Sequence, residues 1–305
     1  APAAATAFVD AAAETFALRY ARNAHVADRT SQLPATSACV GVSANAEAST
    51  ELSSWPGFAP SPVVSLPDLA NAAGVASVVL KCEGGRFGIG SFKALGAPYA
   101  VAKLMKDDAR PRTLSTASDG NHGVALAWAA KRHGCVAKVY LHRGVSAARA
   151  AAVERLGAEV VRAGDTYDES MALCREDSAR RGWDVVQDAS WEGYEEVPAD
   201  ILSGYTLVAS ELVEQLDAPP THVFVNCGVG GFAASVCGYL WDALGEQRPV
   251  FITAEPDVAD CVYRSGAAGA PTPCPGALDT LQGGLACGEV SPQAFDVLRN
   301  GADAF

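Results

Sequence analysis

Lys93 lies between Gly90-Ser91-Phe92 and the apolar helical pattern Ala94-Leu95-Gly96-Ala97. Burial and the positive end of a helix both disfavour an ammonium, so the pKa of this amine is expected to fall. A lysine that sheds its proton near neutrality attacks carbonyls and forms imines. The plain alternative is a lysine that snorkels from a helix end. A second group, Thr116-Ala117-Ser118-Asp119-Gly120-Asn121-His122-Gly123, falls between a strand pattern and a helix pattern. Ser118 with the backbone of Gly120 and Asn121 can cradle a carboxylate, Asn121 can bond a phenolic oxygen, and Asp119 is a candidate acid or base. An ordinary helix cap reads from the same residues. The third group, Val223 to Ala233, runs from a strand through Gly228, Val229, Gly230 and Gly231 into a helix, which makes a phosphate cradle. Gly228-x-Gly230-x-x-Ala233, with Glu255 after the next strand, also fits a dinucleotide fingerprint, so both ligand classes stay open here.

These groups need elements to hold them. Strand patterns at 75–81, 113–118, 137–141, 159–162, 184–187, 223–226 and 250–254 alternate with helix patterns at 94–106, 123–133, 147–156, 167–181, 199–216 and 232–244. Such alternation predicts βαβ units, parallel sheet and right-handed connections. A further amphipathic helix is expected at Phe8 to Arg22, and residues 30–60 read as loop-rich from Pro34, Gly41, Pro56, Gly57 and Pro60.

The chain has 305 residues and a net charge of -12, from 23 basic and 35 acidic side chains. The length fits about two domains. The charge argues against nucleic acid and anionic membranes as partners, and no apolar run approaches the ~20 residues of a membrane helix. Ala1 to Ala7 lack the basic start of a signal peptide. The nine cysteines contain no C-x-x-C pair and the five histidines no H-x-x-x-H pattern, so no metal site or disulfide framework is expected, and free thiols in a reducing cytoplasm fit.

Ser91-Phe92-Lys93, Ser118 to Gly123 and Gly228 to Gly231 occur in the order of the fold-type II pyridoxal-phosphate enzymes, the tryptophan synthase β-like group. With Arg86-Phe87-Gly88, the blocks Gln187-Asp188-Ala189-Ser190-Trp191-Glu192-Gly193-Tyr194, Glu255-Pro256-Asp257 and Gly284 to Glu289, the chain resembles the diaminopropionate ammonia-lyase family from about residue 56 to 290. The resemblance implies an α/β fold with two parallel-sheet domains. The larger would be formed by 1–100 and 195–305, and the smaller, mobile one by 101–194. It implies pyridoxal 5'-phosphate as cofactor and a homodimer. It also implies β-elimination of ammonia from diaminopropionate, D or L, giving pyruvate and ammonia by way of aminoacrylate.

By the same resemblance Lys93 is the Schiff-base lysine, Phe92 packs on the cofactor, Asn121 bonds its phenolic oxygen, and Gly228, Val229, Gly230 and Gly231 hold its phosphate. Ser118, Gly120 and His122 meet the substrate, and Asp119 and Asp188 are the acidic residues near it. Two carboxylates suit a substrate with an extra β-ammonium. Ser118 stands where the family usually has Thr, and Leu281-Gln282-Gly283 replaces its usual Ile-Met-Ala. Gln282 beside the site could change the leaving group. β-Replacement or dehydration on a related amino acid is the near alternative, since one fold hosts several reactions. The more distant alternatives are a nucleotide-dependent oxidoreductase on the 228–233 loop and a non-catalytic binding module. The family continues past Phe305 with a segment that carries the group facing the pyridine nitrogen, so a truncated chain is expected.

Overall fold

The computed structural model describes residues 19–107, 110, 112–118 and 120–305. Asp119 and residues 8–18 of the expected first helix lie outside the described residues. Its last part does not form: residues 19–22 are non-helical, and Arg22 bridges Ala304 in antiparallel fashion.

Two parallel sheets organise the rest. Strands β3 (Thr113–Ala117), β4 (Val136–Leu141), β5 (Glu159–Arg162) and β6 (Asp184–Val185) form a four-stranded parallel sheet in the order β5-β4-β3-β6. The connecting helices are α4 (Asn121–His133), α5 (Ala147–Glu154) and α6 (Tyr167–Arg181). Their ends follow local chemistry. Thr166 accepts a hydrogen bond from the Glu169 N–H, Asp168 and Glu169 sit in the first turn of α6, Arg180 and Arg181 in its last, and left-handed Gly182 stops it. Strands β7 (His222–Asn226) and β8 (Val250–Ala254) form a second parallel pair, joined by α8 (Gly231–Leu244).

The parallel reading fails at 75–81. Only β2 (Val79–Lys81) is extended there, and it pairs antiparallel with β1 (Val63–Ser65). The 30–60 segment also departs from the loop reading, because α1 (Val42–Ser53) fits between Gly41 and Pro56. Its inner face includes Asn45, whose amide donates to Thr206 and Ser210 at 3.0 and 3.1 Å. With Asn45, Ala48 and Leu52 as its buried residues, this face carries a single large apolar side chain and gives little hydrophobic periodicity to read. The remaining helices are α2 (Pro67–Ala73), α3 (Lys93–Asp107), α7 (Glu196–Gln215), α9 (Cys261–Ala268) and α10 (Pro292–Gly301).

Helices α3 and α7 cross in the main core, and glycines set their distance. A Cβ on Gly204 would stand 2.3 Å from the Leu95 carbonyl oxygen, and one on Gly96 would stand 2.4 Å from the Tyr205 ring. The close crossing brings the start of α3, hence Lys93, against Tyr205 in the middle of α7.

Candidate active site

Lys93 opens α3 and is largely enclosed, its side chain 23% exposed. Its Nζ donates to Asp188, lies 5.5 Å from the centre of the Phe92 ring and 5.9 Å from that of Tyr205. Burial pulls the amine's pKa down, but the Asp188 carboxylate, with smaller help from Tyr205 and Cys287, more than offsets it, and the pKa is raised above its ordinary value. The expected fall is therefore corrected. The sequence argument weighed burial and helix end but not a carboxylate brought in from 95 residues away.

Asp188 follows the end of β6 and is held on several sides. Gln187 Nε2 donates to Asp188 at 3.3 Å and to the Tyr167 hydroxyl at 2.9 Å, while Thr116 donates to Gln187 at 2.5 Å. Burial works against the Asp188 carboxylate, yet His122 and Lys93 together hold its pKa well below the usual range. His122 Nδ1 stands 3.6 Å from Asp188, and its Nε2 meets the Val186 carbonyl at 2.8 Å. Burial pushes the His122 pKa down, so at neutral pH the imidazole is uncharged and Lys93 balances Asp188. The carbonyl contact makes Nε2 the protonated nitrogen and leaves Nδ1 bare.

The glycine loop closes the other side. Gly230 adopts φ +96°, a left-handed conformation that favours glycine, and α8 starts without a side-chain cap. A Cβ on Gly228 would come within 3.0 Å of Cys287 Sγ. The first amides of α8 are thus open to a ligand in a cradle that side chains would fill.

Lys93 and Gly228–Gly231 line one cavity of about 540 Å³, together with Phe92, Ser118, Gly120, Asn121, His122 and Asp188. The structure brings together all the expected site residues it describes. Phe92 also stacks on Phe232, with ring centres 4.0 Å apart. Ser118 is placed differently from a simple carboxylate donor. Its oxygen accepts from the Gly120 and Gly123 N–H groups at 3.2 and 3.0 Å, fixing the start of α4, and its own O–H stays available to donate. Tyr205, Tyr167 and Arg149 also line the cavity and carried no sequence motif. Tyr205 is buried within a 20-residue helix, and its hydroxyl has no hydrogen-bond partner among the described residues.

The cavity suits pyridoxal phosphate. Its volume lies within the usual range for a cofactor with a small ligand. It offers an uncapped helix start for a phosphate, a lysine for an aldehyde, and the unpartnered Tyr205 hydroxyl for a polar edge. The dinucleotide alternative loses its key acid, because both Glu255 oxygens accept backbone N–H groups of α9, from Val262 at 2.8 Å and Tyr263 at 2.6 Å.

A lysine facing a phosphate-type glycine loop across one cleft, on this α/β frame, is the arrangement of a fold-type II pyridoxal-phosphate enzyme. The sequence profile of the pyridoxal-phosphate dependent enzymes matches residues 55–305, and the chain belongs to that family. It is 39% identical over 269 residues to the diaminopropionate ammonia-lyase of Escherichia coli K12, covering 82% of this chain and 68% of that protein. Against the Salmonella typhimurium LT2 diaminopropionate ammonia-lyase the identity is 35% over 277 residues, covering 82% and 69%. The Escherichia coli enzyme solved with an aminoacrylate-PLP azomethine reaction intermediate superposes with a TM-score of 0.87 at 37% identity, covering 95% of this chain and 76% of that one.

Proposed function

We propose that this chain is a pyridoxal-phosphate lyase that eliminates ammonia from diaminopropionate, yielding pyruvate and ammonia. The observation that carries the reading is the shared cavity of Lys93 and Gly228–Gly231, in a chain similar over most of its length to diaminopropionate ammonia-lyases. Bound there, pyridoxal phosphate would supply an electron sink that acidifies the substrate's Cα–H.

The chain's own residues would do the rest. Lys93 would hold the cofactor covalently and act as a proton acceptor at Cα. The amides at the start of α8 would anchor the phosphate, Asn121 would bond the phenolic oxygen, and Phe92 would wall the ring. Ser118 and the Gly120 backbone would receive the substrate carboxylate. Asp188 would orient the β-ammonium and take a proton, with Asp119 as a second acidic group. Gln187 would keep Asp188 in place, a role supported by its hydrogen bond to it.

We take residues 101–194 as a small mobile unit and 1–100 with 195–305 as a larger one. Its closure would exclude water from the cleft. The reading includes a cytoplasmic homodimer without nucleic-acid partners. The net charge of -12 supports the last point, and the exposed Val64, Val79 and Leu80 on the β1-β2 ribbon support an apolar contact between copies. No helix among the described residues is long and apolar enough to cross a membrane.

Ammonia and pyruvate release is to be assayed with D- and L-diaminopropionate, serine and threonine. The expected outcome is the highest kcat/KM with diaminopropionate; preference for serine or threonine would make the chain a dehydratase instead. Gln282 on the cavity wall favours a second reading, β-replacement. That reading requires a coupled product when a thiol is added to the same assay.

A further inference from the structure

The charged groups among the described cavity-lining residues are Lys93, Asp188 and Arg149. Lys93 and Asp188 satisfy each other. Arg149 does not share in that pair. It projects from the first turn of α5, where its backbone N–H is bonded to Ser146, and its guanidinium makes no hydrogen bond or ion pair with any described residue. Across the cleft it faces the 281–284 segment. A Cβ built on Gly283 would stand 3.2 Å from Nη2 and 3.5 Å from Nη1 of Arg149. Such a spacing is tighter than ordinary carbon–nitrogen contact, so a methyl at 283 would move the exposed guanidinium by a few tenths of an ångström. Gln282, next in line, also borders the cavity, with an exposed side-chain amide free of described partners. These are two of the three positions at which the 281–283 block departs from the family it resembles.

A guanidinium that lines a reaction cavity without a counter-charge is a ready fork for an oxyanion. Diaminopropionate does not call for it, because a β-ammonium and a guanidinium repel. We propose that Arg149, with Gln282 beside it, binds an anionic β-substituent. The enzyme would therefore also eliminate oxyanion leaving groups, such as the phosphate of O-phosphoserine. The proposal rests on the pyridoxal-phosphate lyase reading of this cavity and adds a second substrate class to it. In the step, the Cα–H bond breaks and its proton passes to a basic side chain. The Cβ–O bond breaks, its electron pair leaves on phosphate, and a Cα=Cβ bond forms. Released aminoacrylate tautomerises to its imine, and water converts that to pyruvate and ammonia. No oxidant or reductant takes part.

The test compares kcat/KM for O-phosphoserine, β-chloroalanine and diaminopropionate in wild-type holoenzyme and in Arg149→Ala, Arg149→Lys and Gly283→Ala. Phosphate and pyruvate release are both followed. Wild type is expected to release phosphate and pyruvate in equal amounts. In Arg149→Ala the ratio of kcat/KM for O-phosphoserine to that for β-chloroalanine should fall at least about tenfold, as loss of a hydrogen bond to a charged group implies. Arg149→Lys should recover part of it, and Gly283→Ala should lower the ratio in the same direction. Calorimetric binding of O-phosphoserine to the Lys93→Ala protein should weaken by a similar factor when Arg149→Ala is added. Wild type that processes diaminopropionate but not O-phosphoserine would overturn the proposal. So would an equal loss on all three substrates, which would assign Arg149 to the common amino-acid part or to the fold. Turnover of O-phosphoserine without turnover of diaminopropionate would leave this inference standing and remove the ammonia-lyase reading instead.

Discussion

At the scale of single residues, Lys93 and Asp188 are one unit. Burial alone would lower the Lys93 pKa, and Asp188 is the leading charge that opposes it. In the cofactor-free protein, Asp188→Asn should therefore let Lys93 react with aldehyde reagents at lower pH than in wild type; an unchanged pH profile would show that the carboxylate does not set the amine's charge. In the loaded enzyme the same substitution should lower kcat at least about 100-fold, the scale of general acid–base assistance. Much of this site was legible beforehand. Lys93, Phe92, Ser118, Gly120, Asn121, His122, Asp188 and the 228–231 loop stand in short motifs and do meet in one cavity. Tyr205 and Arg149 were not legible, because a tyrosine or arginine inside a helix pattern is indistinguishable from a packing or surface residue until the chain has folded around it.

At the scale of elements, two contacts fix the helices α3, α7 and α9. Where α3 crosses α7, Gly204→Ala would drive a methyl into the Leu95 carbonyl. It should destabilise the protein by about 3 kcal/mol, read from the denaturant midpoint, because two backbones rather than a mobile side chain must separate. A midpoint equal to that of wild type would contradict the close crossing. The second contact is the carboxylate of Glu255 on the first amides of α9. Burial is the main influence on Glu255 and raises its pKa from 4.5 to about 7, with Asp260 adding to the rise. Between those values the folded chain holds a proton that the unfolded chain has released. Stability should accordingly fall by up to ~3 kcal/mol as pH rises through this window. Glu255→Gln should remove that slope, so urea midpoints of the two proteins at pH 5 and pH 7.5 should diverge; parallel pH curves would refute it. The parallel strands and their helices were readable because apolar runs alternate with amphipathic ones. The β1-β2 ribbon and α1 were not, since three-residue strands carry too little period and α1 buries Asn45 as part of its inner face.

At the scale of the whole molecule, two parallel sheets far apart in sequence order supply the two sides of a single cleft. Residues 113–188 bring Ser118, Asn121 and Asp188, α3 brings the amine, and β7 with α8 brings the glycine loop. This division explains why motifs spread from Ser91 to Gly231 meet in one cleft and why each alone reads as an ordinary turn or helix end. The account stands on a covalent bond between Lys93 and an aldehyde cofactor. Its most direct measurement is borohydride reduction of the pyridoxal-phosphate-loaded protein, followed by peptide mapping. The visible absorption band should vanish and the reduced label should sit on Lys93 alone. A label on another lysine, or a loaded protein with no reducible band, would contradict the central claim.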